Sequence, residues 1–269
     1  MKKIDEKMLE NDIKAMLIEH LRHKQVISSN SVLINEFNID GFTNRADLVI
    51  AEDDGLFAYE IKSESDTLQR LEKQVEKYSQ FFDKVIVVAA TKHIPNVLSI
   101  VSSDIAVWEV TPSGFKVLQR GRASKSQERE NLLRILNVKE LKRLAVNSGR
   151  IPDAIRRSFL EAVLSDISYA QLRKAVIEAL RERYYNSSMS FWQIASDCVK
   201  PCHITELSPY LAQRRRIKML EQEQKAFWDR WHDEIKRMPD DPMLIDLLGQ
   251  TEESLFGEIP DSVRAILSR

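Results

Sequence analysis

Cysteine is scarce, at two in 269 residues, and Cys198 and Cys202 are too few to form a disulfide framework. That usage fits a reducing compartment. Long apolar runs are missing too. Stretches such as VIVVAA at 85–90 fall far short of the roughly 20 residues a spanning helix needs, and the opening MKKIDEKMLEND has no apolar signal region. No membrane association is therefore expected, and a cytoplasmic location is. Net charge is nearly absent, with 40 Lys and Arg against 41 Asp and Glu, so bulk charge names no partner. Internal repeats and low-complexity tracts are also lacking. What remains, 43% hydrophobic and 30% charged, is the composition of a folded chain large enough for one sizeable core or two modest ones.

The near-zero charge hides an asymmetry. From Arg120 to Arg183 there are 15 basic and 8 acidic residues, whereas residues 1–119 are mildly acidic. A basic helical segment beside a neutral core could track a phosphate backbone or face water.

The apolar spacing of Met8, Leu9, Ile13, Met16, Leu17 and Leu21 gives an amphipathic helix over about residues 5–23. Three short strands are expected in SVLINEFNI, RADLVIA and LFAYEIKS, separated by DGFTN and EDDG. Asp66, with Gln69 three residues on, reads as the capping box of a helix whose buried stripe is Leu68, Leu71, Val75, Tyr78 and Phe82. KVIVVAA reads as a strand buried on both faces. A short helix near Pro95 and a hairpin around TPSG complete an α/β core. Beyond about residue 120 the strand signals stop. The expected organisation is a core over 1–120 and an all-α region over 121–269.

Asp47, Glu60 and Lys62 fall in these apolar strands, where burying charge is costly. Strand alternation puts Ala58, Glu60 and Lys62 on one face and Phe57, Tyr59 and Ile61 on the other. With Asp54 and Gly55 as the central residues of a tight turn, Asp47 falls opposite Lys62, and Glu60 is a diagonal neighbour about 7–8 Å away. Carboxylates that close require a cation between them. Lys62 is one candidate and a divalent metal another, since Mg²⁺ needs only one or two protein carboxylates beside water and a phosphate. A plain cross-strand ion pair is the simpler alternative.

Asp47, twelve intervening residues and then Glu60-Ile61-Lys62, on a hairpin between two helices, resembles the PD-(D/E)XK nuclease superfamily over about residues 5–110. The resemblance implies a restriction-endonuclease-like mixed sheet flanked by helices and a Mg²⁺-dependent phosphodiester hydrolase, with Mn²⁺ as a substitute. It assigns metal binding to Asp47, Glu60, the Ile61 carbonyl and Glu36, with Glu19 as the alternative to Glu36, and catalysis to Asp47, Glu60, Lys62 and Gln74. The superfamily's proline is Ala46 here. Gln74 and Tyr78 match the Q-x-x-x-Y of its RecB-like branch. In that reading Gln74 orients substrate, with Tyr78, Arg70 and Arg45 as further substrate contacts. By the spacing alone Tyr78 is a core residue. DNA is the expected substrate by analogy with the superfamily, in defence against foreign DNA or in repair, and a homodimer or a protein partner would engage the helical region. The alternative is an inactive nuclease-fold module that binds nucleic acid or a protein. A third reading is a structural protein that docks through its charged strand face.

Other patterns carry less. Asp197, Cys198, Cys202 and His203 crowd into seven residues around Pro201, poor spacing for zinc, so the cysteines read as ordinary buried thiols. RRRIK at 214–218 could contact phosphates or face water. Trp228 and Trp231, three apart, suit core or partner packing. The two helical patterns of residues 132–164 suit a helix-turn-helix or any helical hairpin.

Overall fold

The computed structural model describes residues 7–39, 44–125, 127–150 and 154–235, the side chains of 209–216 and 231–235 excepted. The fold is mixed α/β, a six-stranded mixed sheet flanked by helices and followed by a helical C-terminal region. Helix α1 (Glu10–His23) leads into strands β1 (Val32–Ile39), β2 (Asn44–Ala51) and β3 (Leu56–Lys62). Helix α2 (Leu71–Ser79), β4 (Lys84–Ala90), α3 (Ile94–Ile100), β5 (Ala106–Thr111) and β6 (Gly114–Gln119) follow. Among the described residues five more α-helices come after the sheet: α4 (Arg129–Ile135), α5 (Val138–Asn147), α6 (Arg157–Val163), α7 (Tyr169–Ile194) and α8 (Pro209–Ile235). The strands lie in chain order; β3, β4 and β5 are mutually parallel and the remaining pairs antiparallel.

Each face of the sheet has its own core. Ile13, Leu17, Ile18 and Leu21 of α1 pack on Leu33, Leu48, Ile50, Tyr59, Ile61, Ile86 and Val88. Leu71, Val75, Tyr78 and Phe82 of the α2 segment pack on the opposite face with Val49, Ala58, Val85 and Val87. β4 therefore alternates between two cores, which is why its sequence is apolar throughout. Helix α7 joins the α2-side core through Leu172, Val176 and Leu180, and the α1-side core through Phe191 and Trp192. It also covers the open edge of β1: Ser188 Oγ accepts from the Leu33 N–H and donates to its carbonyl, both at 2.9 Å, and Trp192 Nε1 donates to Ser31 O at 3.0 Å.

Four expectations shift. α1 starts at Glu10, with Leu9 before it exposed. The β2–β3 turn centres on Asp53-Asp54, because Glu52 and Gly55 exchange both backbone hydrogen bonds, at 2.9 and 3.4 Å. Gly55 serves packing instead, since a Cβ there would lie 3.0 Å from the Phe57 ring and 3.2 Å from the Asp83 carboxylate. Asp66 does not open α2. Its carboxylate accepts from Ser63 N–H (2.7 Å) and Oγ–H (2.6 Å), closing a turn directly after β3 that delays the helix to Leu71.

The fourth shift concerns domains. The chain divides into one compact unit up to Pro209 and a second from Tyr210, not near residue 120, because α4–α7 share the core of the sheet. Much of the basic excess of this segment is used to fasten it. Arg173 makes a bidentate pair with Asp83, both bonds at 2.6 Å. Arg157 donates to the Leu133 and Leu136 carbonyls at 2.8 and 2.9 Å, and Arg183 pairs with Glu140. The second unit contains α8, where Trp228 is buried while Ile217, Met219 and Leu220 are exposed. Arg214 to Arg216 lie on this helix, and their side chains, like that of Trp231, are outside the described residues.

Candidate functional site

β1 and β2 lose their alternation at one point. Ile34 and Phe37, three apart on β1, both enter the α2-side core, so one residue between them is out of phase. That region holds Glu36, whose φ of 56° is left-handed, while the β1–β2 register is the same on either side of it. On β2, Ala46 enters the α2-side core and Leu48 the α1-side core. Asp47 lies between them, so the irregularity falls where the sequence has its charge.

Register explains the next step. The β2–β3 ladder runs from Ala51↔Leu56 to Leu48↔Tyr59, and its continuation sets Asp47 opposite Glu60 and not Lys62. The Asp47 carboxylate instead takes the Ile61 N–H at 2.7 Å. Glu60 and Lys62 occupy the α2 face of β3, as alternation requires. Glu60 is 1% exposed; Lys62 Nζ donates to its Oε1 at 2.6 Å and the Tyr78 hydroxyl to its Oε2 at 3.0 Å. That hydroxyl also lies 2.6 Å from the Arg45 carbonyl. Lys62 donates to Gln74 Oε1 at 3.2 Å, and Gln74 Nε2 reaches the Tyr78 oxygen at 3.5 Å. One turn of α2 therefore supplies both Gln74 and Tyr78 to the strand carboxylates, as side chains four residues apart on a helix can.

The electrostatics follow from burial. Asp47 is pushed up to about 8, first by loss of hydration and then by the Glu60 charge, with Lys14 pulling it down and Glu10 raising it. Glu60 is raised by burial against the opposing pull of Lys62. The Tyr78 phenol is raised by burial and by both carboxylates, so it remains a hydrogen-bond donor. Two carboxylates thus share a buried setting in which Lys62 supplies less positive charge than they carry.

The other expected residues separate from this cluster. Glu36 pairs with Arg45 at 2.8 Å near the surface. Glu19 bonds Arg22 at 2.8 Å and the Val199 N–H at 3.0 Å, fastening the chain after α7. Arg70 is the exposed residue at the start of α2. Cys198 and Cys202 are exposed, not buried thiols. Among the described residues no group of three or more His, Cys, Asp or Glu forms a metal cage. A cavity of about 700 Å³ between α2, the start of β4 and the segment Ile100 to Ile105 has four carboxylates, Glu72, Glu76, Asp83 and Asp104, against one cation, Arg122, in its lining, a balance that does not suit a phosphate.

Two residues were not anticipated. Lys14 is fully buried, with Nζ 2.5 Å from Glu10 Oε1 and 2.8 Å from Asn35 Oδ1. Asn35 is the cross-strand partner of Leu48, the neighbour of Asp47. The available signal was a lysine set in the apolar stripe between Ile13 and Leu17, four residues after a glutamate.

A family model described as Bacteriophage P4 protein cII matches residues 3–208. The chain belongs to this phage P4 cII family. Protein cII of Enterobacteria phage P4 is 35% identical over 191 residues, covering 69% of this chain and 72% of that protein. The cII family match ends within one residue of the Pro209 boundary of the first compact unit, so the cluster lies inside the family's extent and α8 outside it. Among solved structures, a protein of unknown function from Silicibacter pomeroyi aligns at 13% identity with a TM-score of 0.34, over 52% of this chain and 96% of that one. Among the described residues no helix is long and apolar enough to cross a membrane.

Proposed function

We propose that this phage P4 cII family member is a metal-dependent nuclease of the PD-(D/E)XK type, acting on phosphodiester bonds in DNA. The observation that carries the reading is the meeting of Asp47, Glu60 and Lys62 with Gln74 and Tyr78 at the break in β2–β3 pairing. An ion pair for stability alone would not crowd a second carboxylate beside Glu60 and raise it to about 8.

The donor set fits a hard divalent cation. Asp47 falls opposite Glu60 in the continued β2–β3 register and feels its charge, and Mg²⁺ accepts one or two carboxylates with carbonyl, water and phosphate oxygens. Asp47, Glu60 and the Ile61 carbonyl would hold it, with Mn²⁺ as a substitute; Glu36, paired with Arg45, is the peripheral member of the set. Such a cation polarises a phosphoryl oxygen and lowers the pKa of a bound water. The protein's own groups do the rest. Lys62, already bonded to Glu60 and Gln74, orients the attacking water or stabilises charge developing on the phosphate. Tyr78, kept protonated, holds Glu60 in place, and Gln74, whose amide is bonded to Lys62 and Tyr78, would exchange one of these bonds to orient substrate. Arg70 is an exposed cation available to flanking phosphates, and Arg45, exposed but paired with Glu36, would exchange that partner for one. In this reading the protein works in the cytoplasm on foreign or damaged DNA, and the helical region beyond residue 120 adds contacts to DNA or a partner.

The test is incubation of the purified full chain with linear and circular, single- and double-stranded DNA, in Mg²⁺, Mn²⁺ or EDTA, beside Asp47→Asn and Lys62→Ala. The expected result is cutting that needs metal and is lost in both variants. Equal DNA binding by all three proteins with no cutting would replace the nuclease with a binding module.

A further inference from the structure

Lys14 is not used by the chemistry above, yet it is fully buried. An ammonium out of water costs far more than an apolar side chain unless negative charge surrounds it. Glu10, its one paired carboxylate, has a side chain 43% exposed, and Asn35 is neutral. Glu10 therefore compensates only partly, while the rest of the stripe around Lys14, including Ile13, Leu17 and Ile18, is apolar and buried.

Geometry shows what supplies the remainder. Asn35 stands opposite Leu48, which places the ammonium within one residue of Asp47 in the strand register, on the α1 side. Lys62 is bonded to Glu60 on the α2 side. The two carboxylates at the strand break thus have one lysine on each face of the sheet. The influence of Lys14 on Asp47 is favourable to its charged form.

We propose that Lys14 is a positioning residue of the metal centre: the resident counter-charge of Asp47, held there by Asn35 and Glu10, which limits how tightly the centre binds a divalent cation. It never touches substrate, because it has no exposed surface. This rests on the divalent-cation reading of Asp47 and Glu60. Removing the charge leaves Asp47 and Glu60 short of positive charge, so an added cation should bind at least about tenfold more tightly, the effect that a unit charge as far as about 12 Å away has on each unit of cation charge at an effective dielectric of about 20.

The experiment is thermal unfolding of the full chain with EDTA, Mg²⁺ or Mn²⁺, for wild type, Lys14→Gln, Lys14→Met and Lys14→Arg. Lys14→Gln retains a hydrogen bond to Asn35, so the test holds if Lys14→Met does not fold. Tenfold tighter binding, about 1.4 kcal/mol, should enlarge the metal-induced rise in Tm by roughly 3–5 °C in the Gln and Met variants and leave Lys14→Arg like wild type. An equal or smaller rise in the uncharged variants would make Lys14 merely structural and overturn the proposal. No metal-induced rise in wild type would overturn the cation reading itself, and this proposal with it.

Discussion

Replacing Asp47 by Asn should stabilise the metal-free protein while abolishing the proposed metal-dependent cutting, and the gain should depend on pH in a direction fixed by the structure. Asn is isosteric and its Oδ1 can keep the Ile61 N–H that Asp47 holds at 2.7 Å, so the substitution removes charge and little else. Asp47 is raised from 3.8 to about 8 in the folded chain. The folded state therefore holds a proton on Asp47 that the unfolded chain has already lost between those values, and wild-type stability falls as pH rises through that window. Below pH 4 both states are protonated and the variant should match wild type. Above pH 8 the difference should be at its largest. A shift of four units corresponds to at most about 5–6 kcal/mol; water penetration and relaxation at a partly exposed site reduce this to about 2–3 kcal/mol. For a unit of about 200 residues that is roughly 4–12 °C in Tm. Thermal unfolding in EDTA from pH 4 to 9 reads it directly. A variant less stable than wild type at pH 8, or a difference that does not change with pH, would refute the crowded-carboxylate reasoning.

Two further substitutions separate fold from site. Arg173→Met leaves Asp83, 4% exposed, without its bidentate partner, and stranding a buried carboxylate costs about 3–5 kcal/mol. Tm should drop by roughly 6–20 °C; a drop under 2 °C would mean that α7 is not fastened to the sheet through this pair. Glu19→Gln should leave DNA cutting intact while costing about 1 kcal/mol of stability. Burial works upward on Glu19, but the Arg22 bond, the Val199 N–H and the Arg22 and His23 charges outweigh it and lower its pKa. The deficit should therefore be full at neutral pH and vanish as pH falls through the carboxylate range, and loss of cutting would return Glu19 to the centre.

The sheet was readable because its signals are local. The uniform apolarity of Lys84 to Ala90 and the period-two pattern of Leu56 to Lys62 each describe a strand directly, and Glu60 and Lys62 inherit their common face from it. The exact pairing was not readable. Whether Gly55 belongs to the turn depends on its approach to Phe57 and Asp83, a contact between residues distant in sequence. The phase break at Glu36 and Asp47 was likewise invisible, because a left-handed residue in β1 leaves no mark in an alternation of apolar and polar types. Lys14 carried a signal in its place within the apolar stripe, but what surrounds its ammonium depends on Asn35 on β1, a contact between residues distant in sequence. The boundary expected near residue 120 followed the end of the strand signals, whereas the compact unit is set by α7 returning over β1 through Ser188 and Trp192.

The most direct test of the proposed nuclease centre is the rate at which circular duplex DNA is opened in Mg²⁺ by wild type and by Lys62→Met, with folding of both verified by thermal unfolding. The Lys62 side chain bonds Glu60 and Gln74, and the unfolding control separates loss of chemistry from the cost of leaving the buried Glu60 without its cation. Cutting by the wild type that EDTA abolishes, and that falls by at least about 100-fold in a folded Lys62→Met protein, is the expected result. Equal rates in the two proteins, or no cutting of any DNA by the wild type, would contradict it.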